Sequence, residues 1–433
     1  MVDLKKLNEK RISISEAFNS KNKAVAVAGW VENIRELGKI RFILLRDSTE
    51  KIQITAVKGK VDDKVFEQIS KLTRESVIYV QGELQESKQA PGGKEIIPKE
   101  LDILGLANEN LPIDVSEFSK TELPKRLDNR FLDMHRRRIQ AIFKIQSTLA
   151  STFIKHFVDK GFMNVQLPCV ISTSSEGGTE LFPVQYFEKK AYLAQSPQLY
   201  KQMIACAAEK VVTITPVWRA EKHNTPRHLN ECRQMDIEVA FADQFTIMKY
   251  EEEAVKDMVK TVIEKNAKDL EILGLKLKVP KAIYLSYNEA MEKLKVKPGE
   301  DLTPDQEKKL CDMYPGDMVF VHSWPTHLRG FYIMRKNADP EAKETEGFDC
   351  LYKGVEITSG GQRIHIPELL EAMLKKKGLK PESFKAYIDS FRYGAPPHAG
   401  WSIGLERLTT TLLELDNIRE AVLFPRDRDR LVP

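Results

Sequence analysis

The apolar and polar positions change rhythm twice along this chain. From Ala24 to Leu104 the apolar residues come in short runs. These are Val25-Ala26-Val27-Ala28, Phe42-Ile43-Leu44-Leu45, the alternating Lys51-Ile52-Gln53-Ile54-Thr55, Val77-Ile78-Tyr79-Val80, and a last set from Ile96-Ile97 to Ile103-Leu104. Short runs bounded by turn residues predict five strands. Between the third and fourth, Val65 to Leu72 predicts a short helix. Periodicity then lapses from Asn108 to Pro124, around Pro112 and Pro124, which predicts a hinge. Next, Ile139, Ile142, Phe143, Leu149, Phe153, Ile154 and Phe157 recur mostly at steps of three and four. That is a long helix with one buried face, ended at Gly161.

Strands and loops dominate from there to about Phe241, including Asn164 to Leu167 and Val211 to Thr215. Ile247 to Lys268 is helical, as are Leu369 to Lys376, Pro381 to Ser390 and Leu405 to Leu415. Val319 to His322 and Gly330 to Ile333 have the pattern of buried strands. Strands joined by loops, without regular crossover helices, predict an antiparallel sheet flanked by helices, an α+β class. The first five strands, with a helix between the third and fourth, follow the order of an OB-fold barrel, which binds single-stranded nucleic acid. The expected organisation is an OB-fold domain over 1–107, a hinge over 108–133, and a larger domain over 134–433.

Composition narrows the class. Of 433 residues, 42% are hydrophobic and 30% charged, which excludes a disordered chain. No apolar run approaches the roughly 18 residues of a membrane span, so no membrane association is expected. The start, Met1 to Lys6, lacks the apolar stretch of a secretory signal. Five cysteines without a CxxC pair predict no disulfide framework and a cytoplasmic location. A net charge of +4 does not by itself announce nucleic acid. Locally, Lys125, Arg126, Arg130, Arg136, Arg137 and Arg138 face only Asp128 and Asp133. That stripe fits a solvated connector as well as a phosphate-facing surface.

Three distant segments carry chemistry. In Trp218-Arg219-Ala220-Glu221, a strand leads into a loop with Arg227, His228 and Leu229, and Met235 to Phe241 is the returning strand. An arginine fork suits phosphate or carboxylate. A salt-bridged surface hairpin would look the same. In Glu356-Ile357-Thr358-Ser359-Gly360-Gly361-Gln362-Arg363, Glu356 and Ser359 offer the hard oxygens that Mg²⁺ prefers. A strand with a tight turn is the plainer reading. In Gly400-Trp401-Ser402-Ile403-Gly404-Leu405-Glu406-Arg407, small residues alternate on one strand face. They leave a slot for a flat ring, over which Arg407 could stack. Close strand packing would also explain them.

Together, and in this order, the three segments resemble the motifs of class II aminoacyl-tRNA synthetases. Phe143 to Pro168 resembles motif 1, the dimer element. Trp218 to Glu221 resembles motif 2, and Gly400 to Arg407 resembles motif 3, with Ser402 where glycine is common. An N-terminal OB domain points to the subclass that serves aspartate, asparagine and lysine. Ser175-Glu176-Gly177-Gly178-Thr179-Glu180-Leu181-Phe182, Gln195-Ser196-Pro197-Gln198-Leu199-Tyr200-Lys201, and Leu423 to Asp427 resemble the compact archaeal and eukaryotic aspartyl enzymes.

The resemblance implies roles. Aspartate would be held by Arg363 and Lys201 at its side chain, by Arg219 at its α-carboxylate, and by Glu176, Asp236 and Gln198 at its ammonium, with Ser359 nearby. Arg219 and Arg407 would be catalytic. ATP would meet Arg219, Glu221, Arg227, His228, Leu229, Glu356, Gly404, Glu406 and Arg407, with Mg²⁺ on Glu356 and Ser359. The tRNA anticodon would meet Phe42, Gln53 and Pro91. A homodimer acting on tRNA(Asp) is implied. Strict archaeal-type enzymes tend to carry an aromatic residue at Glu32 and lysine at Pro91, so Pro91 points to additional charging of tRNA(Asn). Three alternatives are an asparaginyl enzyme, disfavoured by Ile364-His365, an asparagine-forming paralogue, which typically lacks the anticodon domain, and a non-catalytic RNA-binding relative. The last predicts losses at Arg219, Glu356, Arg363 or Arg407, and all four are present.

Overall fold

The computed structural model describes residues 4–172 and 180–433. The chain divides into two compact units, between Pro112 and Ile113.

In the N-terminal unit, β1 (Ala24–Leu37), β2 (Ile40–Arg46), β3 (Lys51–Val57), β4 (Val77–Glu86) and β5 (Lys94–Gly105) close into a barrel of order β1-β2-β3-β5-β4. The helix Asp63–Ile69 lies between β3 and β4, where the sequence placed it. Alternation sorts the residues. Ile43, Leu45, Ile52 and Ile54 fill the barrel, while Phe42 and Leu44 point outward. Register puts Phe42 opposite Thr55 and Leu44 opposite Gln53, so one outer face carries all four.

The C-terminal unit holds two sheets. The smaller joins β7 (Val170–Ile171), β8 (Pro183–Tyr186) and β9 (Lys189–Leu193). The larger takes β6 (Met163–Asn164), β10 (Lys210–Trp218), β11 (Glu231–Ala240), β12 (Ala282–Ser286), β13 (Met318–His322), β14 (Gly347–Tyr352), β15 (Val355–Gln362) and β16 (His398–Gly404). Its order is β12-β13-β14-β15-β16-β11-β10-β6. The six inner strands are antiparallel, but both edge pairs, β12 with β13 and β10 with β6, are parallel. The sheet is therefore mixed, where a purely antiparallel one was expected. A crossover brings each edge strand in, whereas β10 to β11 and β14 to β15 are joined directly, without an intervening helix.

One sheet face is the core. The helix Arg137–Asp159 lays Ile142, Leu149, Phe153 and Phe157 against Met235, Ile237, Trp401 and Ile403. Fully burying one such side chain contributes about 1.5–3 kcal/mol. Trp401 Nε1 donates to the Ile247 carbonyl at 3.0 Å in the neighbouring helix Gln244–Lys265. Because β11 alternates, Asp236 and Glu238 project to the opposite face. There Asp236 pairs in register with Ser402, and Glu238 with Gly400.

Three expectations change. Gly330 to Ile333 is a turn, bridged only from Ile333 to Arg363, and its apolar look comes from Phe331 packing into a satellite core. The hinge is shorter than 108–133, because Leu123–Asp128 and Arg130–Asp133 are helical and belong to the C-terminal unit. The basic stripe turns inward: Arg126, Arg130 and Arg136 converge on buried Asp133 at 3.0, 2.7 and 3.3 Å. Arg130 also donates to the carbonyls of Glu420 and Val422. Among the described residues no helix is long and apolar enough to cross a membrane.

Candidate active site

The three sequence segments meet over the non-core face of the large sheet, around a cavity of about 480 Å³. Gln198, Arg219, Glu221, Arg227, His228, Leu229, Asp236, Glu356, Ser359, Arg363, Gly404, Glu406 and Arg407 all line it. Glu176 lies outside the described residues. Lys201 does not reach the cavity wall.

Lys201 lies in the helix Gln198–Ala208, which packs on β11. Its ammonium is buried, 2.8 Å from Asp236 Oδ1 and 3.4 Å from Glu238 Oε2, and it donates to the Trp401 carbonyl at 3.1 Å. It neutralises the strand acids beside the cavity without lining it, so the expected direct hold on a substrate carboxylate is not what its position offers. Arg363 lines the cavity and is itself held by a carboxylate. Its Nε donates to Glu238 Oε1 at 2.8 Å and its Nη2 to Glu238 Oε2 at 3.3 Å. Two of its three nitrogens are thus engaged, because a buried guanidinium needs a carboxylate. Nη1 takes no part in that pair, and Arg363 lines the cavity. Burial opposes the Arg363 charge, but Glu238 outweighs it and holds the guanidinium above the usual arginine range.

Asp236 sits beside this pair with Oδ2 unpartnered. Burial pushes its carboxyl up, and Lys201 works against that rise. Gln198 Nε2 is likewise buried without a partner. Both offer polar atoms to a small zwitterion. Gly400 serves Glu238 instead of a ring slot: a Cβ there would lie 2.1 Å from Glu238 Oε2 and 2.4 Å from the Ile237 carbonyl. The expected slot is therefore closed at 400, and only Ser402 and Gly404 face the cavity.

The phosphate-type side is built from β14, β15 and the loop Arg219–Asn230. Burial, and then neighbouring Asp349, push the Glu356 carboxyl up to about 8. Asp349 and Ser359 are paired in register across β14 and β15. Arg329 Nη1 donates to Asp349 Oδ1 at 2.9 Å and reaches Ser359 Oγ at 3.5 Å. Among the described residues no three His, Cys, Asp or Glu side chains converge as a metal cluster. A divalent ion here would take part of its shell from phosphate and water. The mutual repulsion of Glu356 and Asp349 fits such a cation.

Arg407 donates to the Glu356 carbonyl at 2.9 Å, which fixes the start of its helix against β15. Glu406 accepts the Arg233 backbone N–H with both oxygens, at 2.9 and 3.2 Å, and burial raises it to about 7. Glu406 therefore ties strand to helix at the cavity edge. The loop is pinned from the C-terminus. Arg419 donates to Asn224 Oδ1 at 2.5 Å and to the Thr225 carbonyl at 3.1 Å. Asn230 donates to the carbonyls of Arg219 and Glu221 at 2.7 and 3.0 Å. His228 Nε2 lies 3.6 Å from Glu221 Oε2. Arg428 and Arg430, in the terminal basic run, bind the Lys222 carbonyl and Asp128.

Residues that the sequence reading missed are Glu238, Asp349, Arg329 and Arg419. For Glu238 a pattern was available: Met235-Asp236-Ile237-Glu238-Val239 puts two acids on one face of an otherwise apolar strand.

On the outer barrel face, Phe42 is half-buried and stands apart from the core. Gln53 Nε2 donates to Glu95 Oε2 at 2.8 Å and to Thr55 Oγ1 at 3.2 Å. Pro91 is exposed in the β4–β5 connection. Glu32 pairs with Lys51 at 2.6 Å.

A nucleotide-sized cavity on the antiparallel inner strands of a mixed sheet, edged by arginines and an acidic pair, together with a separate OB barrel, fits a class II synthetase. Residues 122–428 match the family of tRNA synthetases class II (D, K and N), and residues 25–104 match the OB-fold nucleic acid binding domain. The chain belongs to this family of aminoacyl-tRNA synthetases, which are ATP-dependent ligases. It is 45% identical over 417 residues to the aspartate–tRNA(Asp/Asn) ligase of Methanocaldococcus jannaschii, covering 94% of each chain. It is 44% identical over 433 residues to the aspartate–tRNA(Asp) ligase of Thermococcus kodakarensis, covering 97% of this chain and 98% of that one. Its fold superposes with a TM-score of 0.92 on asparaginyl-tRNA synthetase from Pyrococcus horikoshii complexed with asparaginyl-adenylate, at 34% identity and over 100% of both chains.

Proposed function

We propose that this chain is an aspartate–tRNA ligase. It joins L-aspartate to ATP as aspartyl adenylate, and then passes the aspartyl group to the 3′ end of tRNA(Asp) and also of tRNA(Asn). The observation that carries the aspartate reading is the Arg363 guanidinium, forked onto Glu238 through Nε and Nη2 while the residue lines the cavity. A cationic donor there suits the aspartate side-chain carboxylate and leaves an uncharged amide poorly matched. Lys201 supports it indirectly, by neutralising Asp236 and Glu238 so that the Arg363 charge is not cancelled.

Asp236 Oδ2 and Gln198 would take the substrate ammonium, with Glu176 beside them. Arg219 would bind the α-carboxylate and α-phosphate, drawing the two reacting groups together and offsetting charge as oxygen attacks phosphorus. Glu221 would accept from the adenine amine. Arg227 and His228 would meet the outer phosphates, Leu229, Gly404 and Glu406 would shape the nucleotide cleft, and Arg407 would lie against adenine. Glu356 and Ser359, with Asp349 adjacent, would hold Mg²⁺, which neutralises phosphate charge when bound. Phe42 would stack on an anticodon base and Gln53 would hydrogen-bond to it. A cytoplasmic homodimer built on the helix Arg137–Asp159 completes the reading.

The test is charging of tRNA(Asp) and tRNA(Asn) transcripts with labelled aspartate, and with labelled asparagine as the control. Aspartate on both tRNAs is the expected result. Aspartate on tRNA(Asp) alone removes the tRNA(Asn) part. Asparagine incorporation favours the asparaginyl reading that the Pyrococcus horikoshii likeness keeps open.

A further inference from the structure

A second cavity, of about 660 Å³, lies in the C-terminal unit and shares no lining residue with the candidate active site. Its buried wall is Arg335, only 1% exposed. Arg335 Nη1 donates to the Ile333 carbonyl at 2.7 Å and more weakly to the Gly330 carbonyl at 3.5 Å. Its Nε has no acceptor, and no carboxylate pairs with it among the described residues. The other two fully buried arginines are both paired, Arg130 with Asp133 and Arg363 with Glu238. A buried charge without a counter-charge is costly, and one partner lost from such a pair leaves that cost uncompensated. Arg335 is the exception, and it faces a cavity.

The surrounding charges do not supply the missing anion. Glu341 is paired with Lys376 at 2.5 Å, and Glu344 with Lys336 at 2.5 Å. The Lys377 ammonium reaches only the His327 carbonyl, at 3.2 Å. Burial, and then Arg335 itself, push the Lys377 pKa down, as expected when two cations share one space. Burial lowers the Arg335 guanidinium to about 10, so it stays charged at neutral pH. Lys343 adds a further cation at the rim. The volume suits a ligand of nucleotide size.

We propose that this cavity binds a phosphate group, with the Arg335 fork and the Lys377 ammonium as its partners. A planar fork beside a point cation matches a phosphate's several oxygens. The phosphate comes either from a free phosphate-bearing small molecule or from the backbone of tRNA.

The experiment uses the full chain with its catalytic pocket filled by a sulfamoyl analogue of aspartyl adenylate. Inorganic phosphate and AMP are titrated calorimetrically into the wild type, Arg335→Met and Lys377→Glu, and tRNA binding is followed against salt for the same three proteins. Arg335 also holds carbonyls of the Gly330–Ile333 turn, so Lys377→Glu decides the question if Arg335→Met folds poorly. One phosphate or AMP site in the wild type, weakened at least about tenfold in the variants, identifies a free ligand. Loss of tRNA affinity with a salt slope reduced by about one, and no free-phosphate binding, identifies the RNA backbone. If neither binding changes in either variant, the site does not exist.

Discussion

Arg363, just past the end of β15, and Glu238 of β11 meet in a two-point pair, 2.8 and 3.3 Å long, sealed from solvent. The pair fixes the plane of the Arg363 guanidinium. Arg363→Leu should cut aspartate-dependent exchange of pyrophosphate into ATP by at least about a thousandfold, in line with the 3–5 kcal/mol lost when a buried pair is broken. ATP binding, measured separately by calorimetry, should survive. Undiminished exchange would remove Arg363 from the aspartate pocket.

Gly400 tests the same pair from the opposite side. A Cβ at 400 would meet Glu238 Oε2 at 2.1 Å and the Ile237 carbonyl at 2.4 Å, and the carbonyl cannot swing aside. Gly400→Ala should lower the melting temperature by several degrees, following the roughly 1–3 kcal/mol of overpacking. At Gly404 a Cβ would lie 3.4 Å from Arg407 Cβ, so Gly404→Ala should keep the fold. Equal melting temperatures for both variants would refute the distinction.

The three synthetase-like segments were legible because each is contiguous in sequence. The barrel was legible because its strands are short, alternate cleanly and follow one another. What could not be read depends on register between distant strands. Glu238 gains its meaning only from facing Gly400 and Arg363, and Asp349 only from lying opposite Ser359. Lys201 sits at the expected place in the chain, but its ammonium is spent on Asp236 and Glu238 and does not line the cavity. The basic stripe at 125–138 misled for the converse reason. Local charge looks solvated until Asp133 draws three arginines inward. The parallel edge strands leave no local trace at all, since parallel and antiparallel strands alternate alike.

Glu356 carries a pH prediction. Its carboxyl is raised to about 8, first by burial and then by Asp349. An unfolded Glu releases its proton near 4.5, so between about 4.5 and 8 the native state holds more protons than the unfolded one. Stability of the metal-free protein should therefore fall as pH rises through that window. Glu356→Gln should flatten the fall. Mg²⁺ should bind more tightly toward pH 8, releasing a proton, and the same variant should raise the Mg²⁺ requirement for exchange. Thermal melts across pH, with and without Mg²⁺, read both effects. Unchanged metal dependence in Glu356→Gln would take Glu356 out of the metal site.

Arg419 touches no expected substrate group, yet it holds the Asn224–Thr225 stretch and is itself anchored by donating Nε to Asp427 Oδ2 at 2.5 Å. Arg419→Ala should free the loop that carries Arg227 and His228. The KM for ATP should rise about tenfold, the cost of one or two charge-assisted hydrogen bonds, while the KM for aspartate stays near wild type. A rise in both constants together would mean a general loss of fold, which a melt would detect.

Pro91 tests tRNA choice. It is exposed in the short turn Pro91–Gly93 between β4 and β5, and a proline at this position offers no cation to an anticodon phosphate or base. Glu32 is tied to Lys51 at 2.6 Å and lies 3.7 Å from Arg46, so its carboxylate is neutralised by the barrel and does not repel RNA strongly. Neither position therefore penalises one third anticodon base over another. Specificity is a difference of affinities, and its absence needs only the loss of the discriminating contact. Pro91→Lys should restore a preference, lowering aspartylation of tRNA(Asn) about tenfold relative to tRNA(Asp), as one added polar base contact of roughly 1–3 kcal/mol allows. The comparison is of kcat/KM for the two transcripts. A ratio unmoved by Pro91→Lys would place the discrimination elsewhere on the barrel, with Glu32→Phe as the next position to measure.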